Sequence, residues 1–419
     1  MRRVVKFGGT SIATPELVRE AARHVARLVE YGEQIAVVAS APGNATSELL
    51  SAIARVSDNE MQFGDSCLFA ALGEEQSVHL LTAALRSFGV TAQPFLPRDA
   101  ETWPIIADIE DTSPLAQTKV NEERPFQLRT QPTASRFRRF VLPVLRVGTV
   151  PVISGFFAVD SSDRVVALGR GGSDITAFIT ATQINADEVV IVTDVKGVLN
   201  ADPRLAENPR LLQELSLADL EMISGAGARV LHPRALEFMT EHLRVRLLDY
   251  RELEQLEETG TSVFGRSETA LLRNPDELAM LTLVGDLTAL EGLQGTLLDW
   301  LNAAGLKPAA ASMSPHFICY YLPSKVADES YGRLHTMLAD SGIDLTSLSL
   351  RGGIGELRLR SAKFIEQPGA LAEITGVLAN ARVNIVEMIT GLTDISVFVD
   401  FHSLDRAEML LRRVLERYS

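Results

Sequence analysis

The chain has 419 residues, 46% hydrophobic and 22% charged, with 40 lysines and arginines against 54 aspartates and glutamates. That composition describes an ordinary folded protein with room for roughly two to four domains. A net charge of −14 argues against nucleic acid or an anionic membrane as its main partner. The two cysteines, Cys67 and Cys319, are far apart and match no metal spacing, so no disulfide framework is expected.

Met1-Arg2-Arg3 runs directly into a strand, Val4–Phe7, without an apolar leader segment, and no apolar run reaches membrane-spanning length. The cytoplasm is the expected compartment. Pro15 opens a helix whose apolar positions, Leu17, Val18, Ala21, Val25, Leu28 and Val29, recur at helical spacing, and Gly32 ends it. Gln34–Ser40 reads as a buried strand. This β-loop-α-β order predicts an α/β fold with a mainly parallel sheet flanked by helices. Helices follow over Ser47–Val56 and Phe63–Phe88. The proline-rich stretch Pro94–Pro132 reads as an insertion or lid rather than core.

A helix over Arg136–Val147 leads to strands at Val150–Ser154 and Arg164–Leu168, a helix from Ser173, and a strand at Glu188–Thr193. The polar segment 266–277 reads as a linker after a domain spanning 1–265. Two similar units follow, 278–350 and 351–419, with strands and helices in the order βαββα.

The chemistry concentrates in two turns, Lys6-Phe7-Gly8-Gly9-Thr10-Ser11 and Gly169-Arg170-Gly171-Gly172-Ser173-Asp174. Glycine pairs followed by hydroxyl residues leave backbone N–H groups bare, and at a strand–helix junction these can wrap phosphate oxygens. Lys6, at a strand's carboxyl end, can neutralise a transferring phosphoryl group. Asp174 can hold Mg²⁺ or orient the groups around the phosphate. Arg170 offers a planar fork for a carboxylate or phosphate. Ser173 serves equally as a helix cap with Asp174 in the first turn. Two phosphate-grade turns in one α/β chain point to a phosphoryl-transfer enzyme.

Glu74, in Leu72-Gly73-Glu74-Glu75, could accept from a substrate ammonium or be one more solvated glutamate. Thr193-Asp194 and Asp202-Pro203-Arg204 follow a strand end. They read either as a nucleotide wall or as turns built by Asp, Gly and Pro. His232, in His232-Pro233-Arg234, reads as structural.

These pieces together resemble the aspartate kinases of the amino-acid kinase superfamily. The matching residues are Lys6–Ser11, Ser40-Ala41 with Thr46, Gly73-Glu74, Val152–Phe156, Gly169–Asp174, Thr193–Arg204 and Val230–Pro233, in family order. The tail units look like the paired ACT domains of that family, which are ferredoxin-like βαββαβ units. The resemblance implies an amino-acid kinase fold and transfer of the ATP γ-phosphoryl group to the side-chain carboxylate of L-aspartate, with Mg²⁺. The product, 4-phospho-L-aspartate, stands at the entrance to lysine, threonine and methionine.

Lys6 and Asp174 would be catalytic. Thr46, Glu74, Arg170 and Ser173 would hold aspartate, with Arg170 on its α-carboxylate and Glu74 on its ammonium. Lys6, Gly8, Gly9, Thr10, Ser11, Thr193, Asp194, Asp202, Arg204 and Arg229 would line the nucleotide. The resemblance further implies a homodimer or higher homo-oligomer and a lysine or threonine effector at the tail.

The chain departs from the family pattern in the loop Ala41–Thr46, at Arg229 in place of a lysine, and at Leu287–Leu297, which lacks the compact Pro-Gly turn present as Gln367-Pro368-Gly369-Ala370. A glutamate or other small-acid acceptor, or a decayed kinase acting as an amino-acid sensor, are the alternatives.

Overall fold

The computed structural model describes residues 1–58, 63–109, 120, 126–227, 230–265, 269–286, 293–343, 345–365 and 369–418. It divides into two units, Met1–Ser267 and Glu268–Ser419.

The first unit starts with β1 (Arg2–Phe7), α1 (Pro15–Glu30) and β2 (Gln34–Ala39). The Thr14 hydroxyl accepts the Leu17 N–H at 3.4 Å and Pro15 fills the first turn of α1. Then come α2 (Ala45–Val56), α3 (Phe63–Ser87), β3 (Ala92–Phe95), β4 (Ala107–Ile109), β5 (Phe126–Leu128), α4 (Thr130–Arg136) and α5 (Leu142–Arg146). The chain continues through β6 (Val150–Ser154), β7 (Phe157–Val159), β8 (Val165–Ala167), α6 (Gly172–Ile184), β9 (Glu188–Thr193), β10 (Glu214–Ser216), α7 (Leu217–Gly225), α8 (Pro233–Leu236), β11 (Arg244–Asp249) and β12 (Thr261–Phe264).

Eight of these strands form one sheet in the order β10-β12-β11-β9-β1-β2-β6-β3, parallel except between β11 and β12. Alternation along β1 sorts its side chains. Val5 and Phe7 join the core packed by α1 and α3, and Val4 joins the opposite core, which contains the buried face of α6. Lys6 shares the face of Val4, so its side chain leaves the sheet on the α6 side.

Two expectations need correction. The stretch Pro94–Pro132 is not simply a lid: Trp103, Ile105 and Ala107 are fully buried and belong to the α6-side core, with β4 paired to β5. One of its prolines, Pro104, lies inside an apolar run, Trp103–Ala107, whose burial outweighs it; residues 110–119 and 121–125 lie outside the described residues. The helix expected from Arg136 begins at Thr130. It passes through a π-turn at Phe137–Val141 before Pro143, which lacks the N–H that a regular α-helix would use there.

The second unit is a seven-stranded antiparallel sheet built from β13 (Ala270–Arg273), β14 (Leu278–Val284), β15 (Ala310–Met313), β16 (Phe317–Pro323), β17 (Ser347–Arg360), β18 (Ile385–Thr390) and β19 (Asp394–Asp400). Its helices are α9 (Leu293–Ala303), α10 (Ser324–Asp340), α11 (Ala370–Asn380) and α12 (Leu404–Leu415).

The element order β14-α9-β15-β16-α10-β17 gives one ferredoxin-like repeat. The second repeat reuses β17, whose residues Ser347–Arg351 pair with β14 while Ile354–Arg360 pair with β19. Gly353, at φ +73°, lies at the change of partner. The repeat is completed by β13, which pairs with Leu357–Arg360 and occupies part of the stretch read as a linker. Residues 266–268, 287–292 and 366–368, on which parts of the linker and both effector-loop readings fall, lie outside the described residues.

Candidate active site

β1 lies between β2 and β9. The chain leaves β1 toward β2 and returns to its other side only at β9, so connections diverge at the β1–β9 boundary. The carboxyl ends of such strands frame a binding crevice. The first glycine turn closes over it. The Gly8 N–H donates to the Val192 carbonyl at 3.0 Å, and the Ser11 hydroxyl donates to the same oxygen at 3.2 Å. Ser11 is therefore buried and spent on holding the turn to β9, whereas Thr10 is exposed. At Gly9 a side chain is excluded, because a Cβ would stand 2.6 Å from the Ala41 carbonyl oxygen. The Gly43 N–H donates to Gly9 at 2.9 Å, joining the unusual 41–46 loop to the first turn.

In the second turn Gly169 and Gly171 have φ +78° and +73°, which favour glycine. Gly171 caps α6 without any side-chain hydrogen bond. Ser173 is thus not the cap. It sits inside the first turn, with its hydroxyl 2.6 Å from where a Cβ on Gly155 would lie. The Gly172 N–H is spent on the Gly169 carbonyl at 3.0 Å, while those of Ser173 and Asp174 meet no cap side chain, an arrangement suited to an anion. Phe156, left-handed at φ +73°, accepts the Leu168 N–H at 2.9 Å and anchors the approach to this turn. His232 packs against Gly171 from outside, so it supports the turn, as its structural reading expects.

The two turns meet through Lys6 Nζ and Asp174 Oδ1 at 2.7 Å, both largely shielded from solvent. Arg170, between the left-handed glycines, is exposed and makes no ion pair among the described residues.

Glu74 lies on α3 with 4% of its surface exposed, and its Oε2 has no hydrogen-bond partner among the described residues. Burial pushes its pKa up to about 8, against the pull of the backbone N–H groups of Glu74 and Ala41. It is therefore not a solvated glutamate. Its neighbour Gly73 faces Ala41 and Thr46, whose Oγ1 would lie 3.5 Å from a Cβ there. The adjacent Glu75 is also buried but pairs with Arg98.

Beyond β9, Thr193 donates to the Asp194 carboxylate at 3.2 Å. Asp202 and Arg204 bind each other, with Nη2–Oδ2 at 2.8 Å and the Arg204 N–H on Oδ1 at 2.9 Å. These hydrogen bonds hold Asp202 down at about 2. The turn reading of this pair holds locally, and much of the Arg204 fork is occupied. Arg229 lies outside the described residues.

Sequence reasoning passed over Asp249 and Arg251. Asp249 ends β11 opposite Thr193, and Arg251 grips it with both side-chain oxygens engaged, at 2.7 Å for Nε–Oδ1 and 2.5 Å for Nη2–Oδ2. An acid and an arginine two residues apart after an apolar strand was the available signal.

Among the described residues no group of three or more His, Cys, Asp and Glu side chains could hold a metal, and no helix is long and apolar enough to cross a membrane.

Residues 1–249 match the sequence model of the amino acid kinase family. The chain is 27% identical over 426 residues to aspartokinase 2 of Bacillus subtilis (strain 168), spanning 99% of this chain and 97% of that one. The crystal structure of aspartate kinase from Synechocystis aligns with a TM-score of 0.75 at 23% identity, over 99% of this chain and 69% of that chain. That of Escherichia coli aspartokinase III in complex with aspartate and ADP aligns at 0.53 and 22%, over 99% and 100%. At those identities the structural likeness speaks for the fold.

Proposed function

The chain belongs to the amino acid kinase family, and from that premise we propose that it is an aspartate kinase. It transfers the γ-phosphoryl group of ATP to the side-chain carboxylate of L-aspartate, giving 4-phospho-L-aspartate. The observation that carries the reading is the Lys6–Asp174 contact, which joins two glycine turns over one crevice. Full-length similarity to an aspartokinase supports the acceptor.

In this reading the N–H groups of Gly9, Ser173 and Asp174 cradle the phosphates, while those of Gly8 and Gly172, given to the Val192 and Gly169 carbonyls, hold the two turns in shape. Lys6 neutralises charge that develops as the phosphoryl group moves, and Asp174 aims the ammonium. The attacking carboxylate needs no general base. Arg170 takes the α-carboxylate of aspartate through its fork, Glu74 its ammonium, and Thr46 and Ser173 flank it. Thr193 and Asp194 face the nucleotide, with Asp202 and Arg204 as a paired turn at the rim.

Mg²⁺ fits this donor set. It is usually held by one or two carboxylates plus substrate phosphates. Asp174 is the carboxylate at hand, and the ion would supply further neutralisation of phosphate charge.

The tail repeats act as an amino-acid sensor for lysine or threonine, and the edge strands β15 and β18 suit pairing between copies in a homodimer. The enzyme serves the cytoplasmic synthesis of lysine, threonine and methionine.

The test is ATP turnover with aspartate or glutamate, trapping the acyl phosphate with hydroxylamine. Aspartate-dependent hydroxamate supports the reading. Hydroxamate from glutamate alone, or none at all, overturns it.

A further inference from the structure

We infer that Arg251, locked by Asp249, is a positioning residue that braces the nucleotide-facing segment after β9. The inference rests on the kinase reading, in which Thr193 and Asp194 face ATP.

Three links tie the segment after β11 to the segment after β9. Asp249 stands directly opposite Thr193 in the parallel β11–β9 register. Arg251 Nη2 donates to the Asp194 carbonyl at 3.4 Å. Lys196 Nζ lies 3.8 Å from Glu252. The arginine is not free to swing, because both Asp249 oxygens hold its guanidinium and the Tyr250 ring lies 5.2 Å below its carbon. Tyr250 itself packs on the core formed by α1 and α3.

The anchor is rigid while the head is wet: the Asp249 side chain is 2% exposed and that of Arg251 64%. Burial alone would raise the Asp249 pKa, yet the Arg251 hydrogen bonds leave it lowered, so the pair is charged at neutral pH. An ion pair made only for stability would gain little from a solvated head. Here the head reaches the backbone that carries Asp194, at the crevice end of the sheet. Fixing that backbone fixes where the Thr193 hydroxyl and the Asp194 carboxylate meet a nucleotide.

The experiment uses the full-length protein and ADP. Calorimetric titration of Arg251→Ala should show ADP binding weakened roughly threefold to tenfold, the worth of one hydrogen bond. The KM for ATP should rise in parallel, while kcat and the KM for aspartate stay at wild-type values; the melting temperature falls, because Asp249 is left buried without its partner. Arg251→Lys should recover part of the loss, since an ammonium can still reach the Asp194 carbonyl but not both Asp249 oxygens.

Unchanged ADP affinity in Arg251→Ala overturns the inference. So does a loss shared equally by ATP and aspartate, which would mean general loosening. Asp194→Ala separates the two levels. If it weakens ADP binding while Arg251→Ala does not, the brace is wrong and the kinase reading stands. If neither alters ADP binding, the nucleotide does not lie on this segment and the inference falls with that part of the reading.

Discussion

Lys6, from the end of the first strand, and Asp174, from the first turn of α6, meet at 2.7 Å over the boundary between β1 and β9. An ammonium held by one carboxylate between the two glycine turns is oriented in advance of any ligand.

Replacing Lys6 should therefore act on chemistry. Lys6→Ala is expected to lower kcat roughly 100-fold or more, as loss of one preorganised transition-state donor does. The KM for aspartate should change far less. Steady-state rates of hydroxamate formation measure both, and a loss confined to aspartate KM would move Lys6 into the acceptor pocket.

Arg170 is exposed between two left-handed glycines and unpaired among the described residues, so its fork is open to a ligand. Arg170→Lys keeps the charge and loses the bidentate geometry. Weaker aspartate binding by about 1.5–3 kcal/mol is expected. A shift in the ATP KM with aspartate KM unchanged would assign Arg170 to the nucleotide.

Glu74 predicts a pH dependence of definite sign. With its pKa raised to about 8, it is protonated in the free protein at neutral pH. An aspartate ammonium favours the carboxylate, so binding should release a proton, and the KM for aspartate should fall as pH rises toward about 8. The stability effect runs the other way. The folded state holds this proton where the unfolded chain has lost it, so Glu74 lowers stability progressively from its ordinary carboxylate range up to about 8, by a few kcal/mol at about 1.4 kcal/mol per pH unit. Glu74→Gln should flatten both profiles. A wild-type aspartate KM independent of pH from 6 to 8 would rule out the assigned role.

Gly9 sets the spacing between the first turn and the 41–43 loop. The Ala41 carbonyl at 2.6 Å is backbone and cannot rotate away, so Gly9→Ala must push one loop off the other. A stability loss of about 1–3 kcal/mol and a raised KM for ATP are expected. Chemical denaturation and kinetics together check this. A variant with native stability and native ATP KM would show that the two loops move independently.

The tail should carry the regulation. In the full-length protein, lysine or threonine that inhibits should also raise the melting temperature, because a ligand of the folded state must stabilise it. Deleting residues 268–419 should abolish that response. Equal inhibition and stabilisation of the remaining unit would place the effector site outside the tail.

Strands β1, β2, β6 and β9, helices α1, α2, α3 and α6 and the two glycine turns were legible in the sequence because their causes are local, whereas β3, β10, β11 and β12 of the same sheet were not. Period-2 and period-3.6 apolar patterns, glycines where φ is positive, and a lysine at a strand end act within a few residues of themselves. Trp103–Ala107 was misread because neighbouring prolines speak locally, while its burial depends on α6 and distant strands. That β13 completes the second tail repeat from before the first was equally invisible, since strand pairing is chosen by partners far along the chain.

The site divides the same way. Glycine and charge in the sequence named Lys6, Arg170 and Asp174. Only the tertiary structure buried Glu74 beside Ala41, spent Ser11 on Val192, and set Arg251 against Asp194. A side chain's identity fixes which bonds it is able to make. Packing decides which partners come within reach, and how much water is left to compete with them.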